Sequence, residues 1–203
     1  MGRTPLSGWP MLRRLRQYGL QTQTFGYTAT FEEFDDIVTR LVTRLQLLAA
    51  SSDYVVVGHS LGGVLLRAAL SRLSEGTRMP QHVYLLGSPI QPSRIAIRLR
   101  ANPLFRAAAG DCGQLLGSDE RMGGIGAPTV PTTGIAGVRG IVNARGPFGE
   151  EANDGVVTLS EVSAPWLVTQ VQVPLVHTWL PSSALVANII AQGLMSHEGG
   201  FMP

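Results

Sequence analysis

The 203-residue chain contains no lysine; all sixteen of its basic residues are arginine. That absence excludes Schiff-base chemistry, a Ser-Lys dyad and a P-loop, each of which needs a lysine amine. A single cysteine, Cys112, excludes an intrachain disulfide. It reads as a small buried or loop residue, because a working thiol needs an activating base beside it. No His or Cys cluster has metal-ligand spacing, and "GGIGAP" lacks the flanking strand and helix of a dinucleotide fingerprint, so no metal and no cofactor is expected. No apolar run approaches the ~18 to 20 residues of a membrane span, which argues against an integral membrane segment. The opening "MGRTPLSGWPMLRRLR" has no continuous apolar region of the kind a signal peptide carries. The default expectation is therefore a soluble, cytoplasmic protein, unless a signal lies upstream of the present start. Charge is sparse as well. The net charge of +2 rests on scattered arginines, and only Arg13, Arg14 and Arg16 cluster, as a solvated helix face rather than a nucleic-acid site.

What is present is an alternation of helical and strand-like segments, in a length suited to one domain. Residues 5–19 read as a short helix with Trp9, Leu12 and Leu15 on one face and Gly19 as terminator. "LQTQTFGY" from Leu20 alternates like a strand. Thr30 and Glu33 have the spacing of a capping box, followed by the apolar stripe Phe34, Ile37, Val38, Leu41, Val42 and Leu45. "DYVVVGHS" and "QHVYLLGSPI" have the all-apolar character of strands buried on both faces, with the helical "LGGVLLRAALSRL" between them. Residues 92–131 weaken into a short arginine-rich helix and a Gly/Pro-rich stretch. Strands are expected in "VRGIVNA" and "WLVTQVQV", and a last helix in "SALVANIIAQGLM". This order predicts an α/β fold with a doubly wound, mostly parallel sheet.

"VVVGHSLGG" joins a buried strand to a helix through Gly58, Ser60, Gly62 and Gly63. A serine nucleophile must stand clear of the sheet on a sharp strand-to-helix turn. Glycines two residues either side of it let strand and helix approach. A helix starting at Leu61 would also point its positive end at a developing oxyanion. His59, adjacent to Ser60, points away and is not the base. Of the other histidines, His82 opens a strand at the far edge of the sheet and His197 lies beyond the last helix. His177 follows the last strand, where catalytic groups of open α/β sheets collect. The acid is sought in "EEANDGVVTLSEV", where Asp154 sits in a turn signal with Glu150 and Glu151 as rivals. Asp154 is the candidate that orients His177.

Together "GHSLGG", "NDGVVTLSE" and "VHTWL" resemble the α/β-hydrolase superfamily, in its small bacterial lipase and esterase branch, over residues 6–199. The resemblance implies Ser60 as nucleophile, His177 as base then acid, and Asp154 as orienter. It implies the Leu61 backbone N–H as one oxyanion donor, and a lid over the site at about 92–131. The implied activity is hydrolysis of carboxylic, lipid or acyl esters through an acyl-enzyme on Ser60. Acyl transfer or thioester hydrolysis with the same triad, or a truncated non-catalytic module, are the alternatives. The implied partner is a small-molecule ester or lipid, and no nucleic acid. One feature departs from the family: a strand ending in His-Gly should precede the first helix and supply the second oxyanion N–H. Met1 stands there with a free α-amine, so the expectation is that the functional protein begins upstream.

Overall fold

The structure, a computed structural model, describes residues 8–198. Four strands, β1 (Val56–His59), β2 (Val83–Leu86), β3 (Thr132–Gly137) and β4 (Thr169–Val173), form one parallel sheet in the order β1-β2-β3-β4. Around it lie α1 (Trp9–Gln17), α2 (Phe34–Ser51), α3 (Leu61–Leu70), α4 (Arg94–Leu99), α5 (Pro103–Leu116), α6 (Asp119–Gly123) and α7 (Ala184–Glu198). The all-apolar β2 sequence follows from burial on both faces. Val83 and Leu85 join the core under α2 and α3, while Tyr84 and Leu86 join the core under α1 and α7. The α2 stripe Ile37, Val38, Leu41 and Leu45 is buried as its spacing demands, each side chain contributing roughly 1.5–3 kcal/mol. Two faces, two cores: the sheet is doubly wound.

Four local expectations are corrected. Residues 20–27 form no strand, and β1 is the outer strand of the described sheet. The third strand is "TTGIAG", not "VRGIVNA" six residues on. All six β3 residues are buried, whereas Ile141 is 82% exposed. Small residues belong in β3 because a Cβ on Gly137 would lie 2.5 Å from the Leu175 carbonyl oxygen. The capping box does not form. α2 starts at Phe34 with its N–H donating to the Asp111 carboxylate, and the Thr30 hydroxyl donates to the Ala108 carbonyl. Finally, residues 92–131 are largely helical rather than irregular, carrying α4, α5 and α6, with α5 kinked at Gly110, φ +58°.

Candidate active site

The turn from β1 into α3 is sharp because nothing but hydrogen separates the two backbones. A Cβ on Gly58 would lie 2.4 Å from the Gly63 Cα, and one on Gly63 would lie 2.2 Å from the Ser88 Oγ. Gly63 therefore carries the close approach assigned above to Gly62, where a Cβ would meet only the Tyr27 hydroxyl at 3.6 Å. Ser60 sits at the apex with φ 55° and ψ −128°, the one non-glycine residue at positive φ among the described residues. Such a conformation costs on the order of 1–3 kcal/mol and persists only where the surroundings hold it. They do: the Ser60 N–H donates 3.0 Å to the Leu86 carbonyl, and the Ser60 carbonyl accepts from the Gly63 N–H at 3.0 Å. Leu61 opens α3, so its N–H belongs to the first turn, where donors lack intrahelical acceptors and the helix end is positive.

The histidine and the acid come from the two loops that flank β4. His177 opens a 3₁₀ turn (His177–Ser182) four residues after β4. Its Nδ1 lies 2.6 Å from the Asp154 Oδ2, and its backbone N–H donates 2.8 Å to the Asp154 carbonyl. The other carboxylate oxygen, Oδ1, accepts the Val156 and Val157 N–H groups, both at 2.9 Å. The "NDG" turn signal thus folds as a nest that consumes one carboxylate oxygen and aims the second at the imidazole. Asp154 and His177 are 1% and 6% exposed, so this contact is shielded from competing water. With Nδ1–H donating to the carboxylate, Nε2 keeps a lone pair for a proton.

Sequence reasoning missed two residues at this site. A Cβ on Gly87, φ +50°, would lie 2.9 Å from the Asp154 Oδ2, 3.0 Å from the His177 Nδ1 and 2.8 Å from Leu180. Gly87 follows β2 directly, and its bareness makes room for the pair; only the tertiary packing gives this glycine its meaning. His59, set aside above as the base, has its ring centroid 4.7 Å from that of His177, and its Nε2 donates 3.1 Å to the His177 carbonyl. It thereby ties the His177 loop to the residue preceding Ser60.

Of the rival acids, Glu151 is engaged elsewhere: it pairs with Arg94 at 2.7 Å and accepts the Ser160 N–H. Burial pushes its carboxyl up, but the Ser160 hydrogen bonds and the Arg94 charge outweigh this and hold it below the usual carboxylate range. Glu150 is exposed. His82 packs at the start of β2, at the opposite end of the strands from Ser60, with its Nε2 2.8 Å from the Thr133 hydroxyl. Cys112 is buried and its thiol is pushed up to about 11, chiefly by burial and then by Asp111, so it is unreactive near neutrality. Met1 and the side chain of His197 lie outside the described residues. Among the described residues, no cluster of His, Cys, Asp and Glu could hold a metal ion. No described helix is long and apolar enough to cross a membrane. Beside the Asp154–His177 pair opens a cleft of about 300 Å³, walled by Ile141, Val156 and Val176 with Arg139 at its side.

No protein-family model and no curated protein matches the sequence. Solved structures do match its fold. The mature lipase of Bacillus licheniformis superposes with a TM-score of 0.61 over 80% of this chain and 75% of its own, at 17% identity. The phospholipase PlaB of Legionella pneumophila, in complex with thio-NAD, gives 0.63 over 95% of this chain and 58% of its own, at 14% identity. The RedJ thioesterase of Streptomyces coelicolor gives 0.50 over 79% and 69%, at 19% identity. The chain therefore has an α/β-hydrolase-type fold, of the kind seen in lipases, thioesterases and a phospholipase. At these identities the likeness speaks for the fold alone.

Proposed function

We propose that the protein is a serine hydrolase that cleaves carboxylic esters through an acyl-enzyme on Ser60. The observation that carries this reading is the buried, hydrogen-bonded Asp154–His177 pair, tied through His59 to a serine held at strained φ on a strand-to-helix turn. Ser60 Oγ attacks the ester carbonyl as His177 Nε2 takes its proton. The Leu61 N–H and the positive end of α3 stabilise the oxyanion. Collapse of the tetrahedral intermediate breaks the ester bond, and His177 returns the proton to the departing alkoxide. Water, deprotonated by His177, then attacks the acyl carbon and releases the acid, with the proton passing back to Ser60. Asp154 stays ionised throughout, fixing the tautomer and stabilising the imidazolium. The apolar walls of the adjacent cleft suit an acyl or lipid group, and a thioester would use the same three residues.

Hydrolysis of p-nitrophenyl butyrate and of butyryl-CoA by purified wild type, Ser60→Ala, Asp154→Asn and Glu151→Gln tests the assignment. Ser60→Ala should fold normally and lose turnover on both substrates. Asp154→Asn should lose about 10³–10⁴-fold in kcat, the scale of a wrong imidazole tautomer, while Glu151→Gln stays near wild type. Activity surviving in Ser60→Ala would overturn the assignment. A fully folded wild type inert toward both substrates would favour a non-catalytic module.

A further inference from the structure

Arg67 lies two turns along α3 from Ser60 and is 3% exposed, yet no carboxylate pairs with it among the described residues. Its Nε and Nη2 donate to the backbone carbonyls of Gly126 and Ile125, and its guanidinium lies 5.4 Å from the centroid of the Trp166 ring. Those contacts orient the group without neutralising it. The third nitrogen, Nη1, is buried with no hydrogen-bond partner among the described residues. Burial lowers this guanidinium to about 10, so it is still a full cation at neutral pH. A buried cation without a counter-charge is an expensive arrangement, and native interiors seldom retain one without a use.

Arg67 also forms part of the wall of a cavity of about 390 Å³, together with Trp166, Met122, Ile90 and Gln91. This cavity shares no lining residue with the cleft beside His177. It reaches solvent, since Gln91 and Asp119 on its wall are exposed. We propose that it is a second ligand site, in which Arg67 receives the carboxylate of an organic monoanion whose apolar body packs against Trp166, Met122 and Ile90. The Ile125 carbonyl takes only one of the two Nη2 hydrogens, so Nη1 and Nη2 together keep a fork that can engage an oxyanion. Asp119 at the rim adds an opposing charge that penalises a dianion more than a monoanion. The volume falls within the range of small-molecule sites, and the wall combines Trp166, Met122 and Ile90 with the polar Arg67, Gln91 and Asp119. The inference does not rest on the hydrolase reading.

The test uses the full chain with the exposed Trp9 and Trp179 changed to phenylalanine, so that Trp166 alone reports by fluorescence. Octanoate, 1-octanol and inorganic phosphate are titrated in turn, with folding checked by circular dichroism. Octanoate should shift the Trp166 emission saturably, and octanol and phosphate should bind at least about tenfold more weakly, the worth of one desolvated charge contact. Arg67→Met should remain folded and lose the octanoate response, while Asp119→Asn should tighten octanoate severalfold. Equal octanoate binding by wild type and Arg67→Met would overturn the proposal, as would equal binding of octanol, or no octanoate response in wild type. If Arg67→Met does not fold, Asp119→Asn decides: tighter octanoate binding supports the site and unchanged binding refutes it.

Discussion

Replacing Gly87 with alanine adds one methyl group at the place where the geometry says the Asp154–His177 pair has no room for it. Two costs are separable. The first is conformational: a Cβ at φ +50° disfavours the left-handed region by roughly 1–2 kcal/mol. For a domain of this length that lowers Tm by about 2–8 °C. The second is steric and local. The new carbon would stand 2.9 Å from the Asp154 Oδ2 and 3.0 Å from the His177 Nδ1, where ordinary contact begins near 3.4 Å. Leu180 closes the third side at 2.8 Å, so the imidazole and carboxylate must be pushed apart. A displacement approaching 1 Å in a catalytic constellation costs on the order of 10²-fold in rate. Gly76→Ala is the matched control, since Gly76 has φ +79° with nothing within 4 Å of a Cβ. Steady-state ester hydrolysis and thermal melts of both variants give the answer. Gly87→Ala should lose more stability than Gly76→Ala, by an overpacking cost of about 1–3 kcal/mol, and it alone should lose about two orders of magnitude in kcat, with KM little changed. If Gly87→Ala turns over as fast as Gly76→Ala, the pair is not the catalytic element and the reasoning fails.

The close approach at the elbow makes a second contrast. Gly63→Ala, whose methyl would meet Ser88 and Leu85 below 3 Å, should fold poorly or lose activity, whereas Gly62→Ala should be tolerated; chemical denaturation curves rank the two, and equal stability would be inconsistent with the packing described. The Cys112 thiol is raised from 9.0 to about 11 in the folded chain, so between those values the unfolded chain releases its proton first and binds fewer protons. Stability should therefore fall as pH rises from about 9 to 11, and Cys112→Ala should flatten that decline; an unchanged alkaline slope in the variant would show that the thiol is not the titrating group.

The parts of the site legible in the sequence are those whose chemistry is local. "VVVGHSLGG" announces its turn because strand, glycines and helix are contiguous, and Asp154 and His177 stand out by residue type at loop positions after strand-like runs. Gly87 was illegible because its need for a bare Cα arises from residues 67 and 90 positions downstream. The strand at Thr132–Gly137 was missed for a similar reason. "TTGIAG" interrupts its strand formers with Gly134, Ala136 and Gly137, and it is a strand because β2 and β4 pair with it on both edges. Conversely "LQTQTFGY" has strand-like alternation but pairs with no described strand, and alternation alone does not make a ladder. The Thr30 box failed by competition, with a distant carbonyl and the Asp111 carboxylate taking its hydrogen-bonding roles.

Labelling the folded protein with a fluorophosphonate, and mapping the adduct by mass spectrometry, shows whether Ser60 is an activated nucleophile. One stoichiometric adduct on Ser60 is expected, formed far more slowly in Asp154→Asn. A natively folded chain that forms no adduct, or forms it on another serine, would rule out Ser60 as the nucleophile.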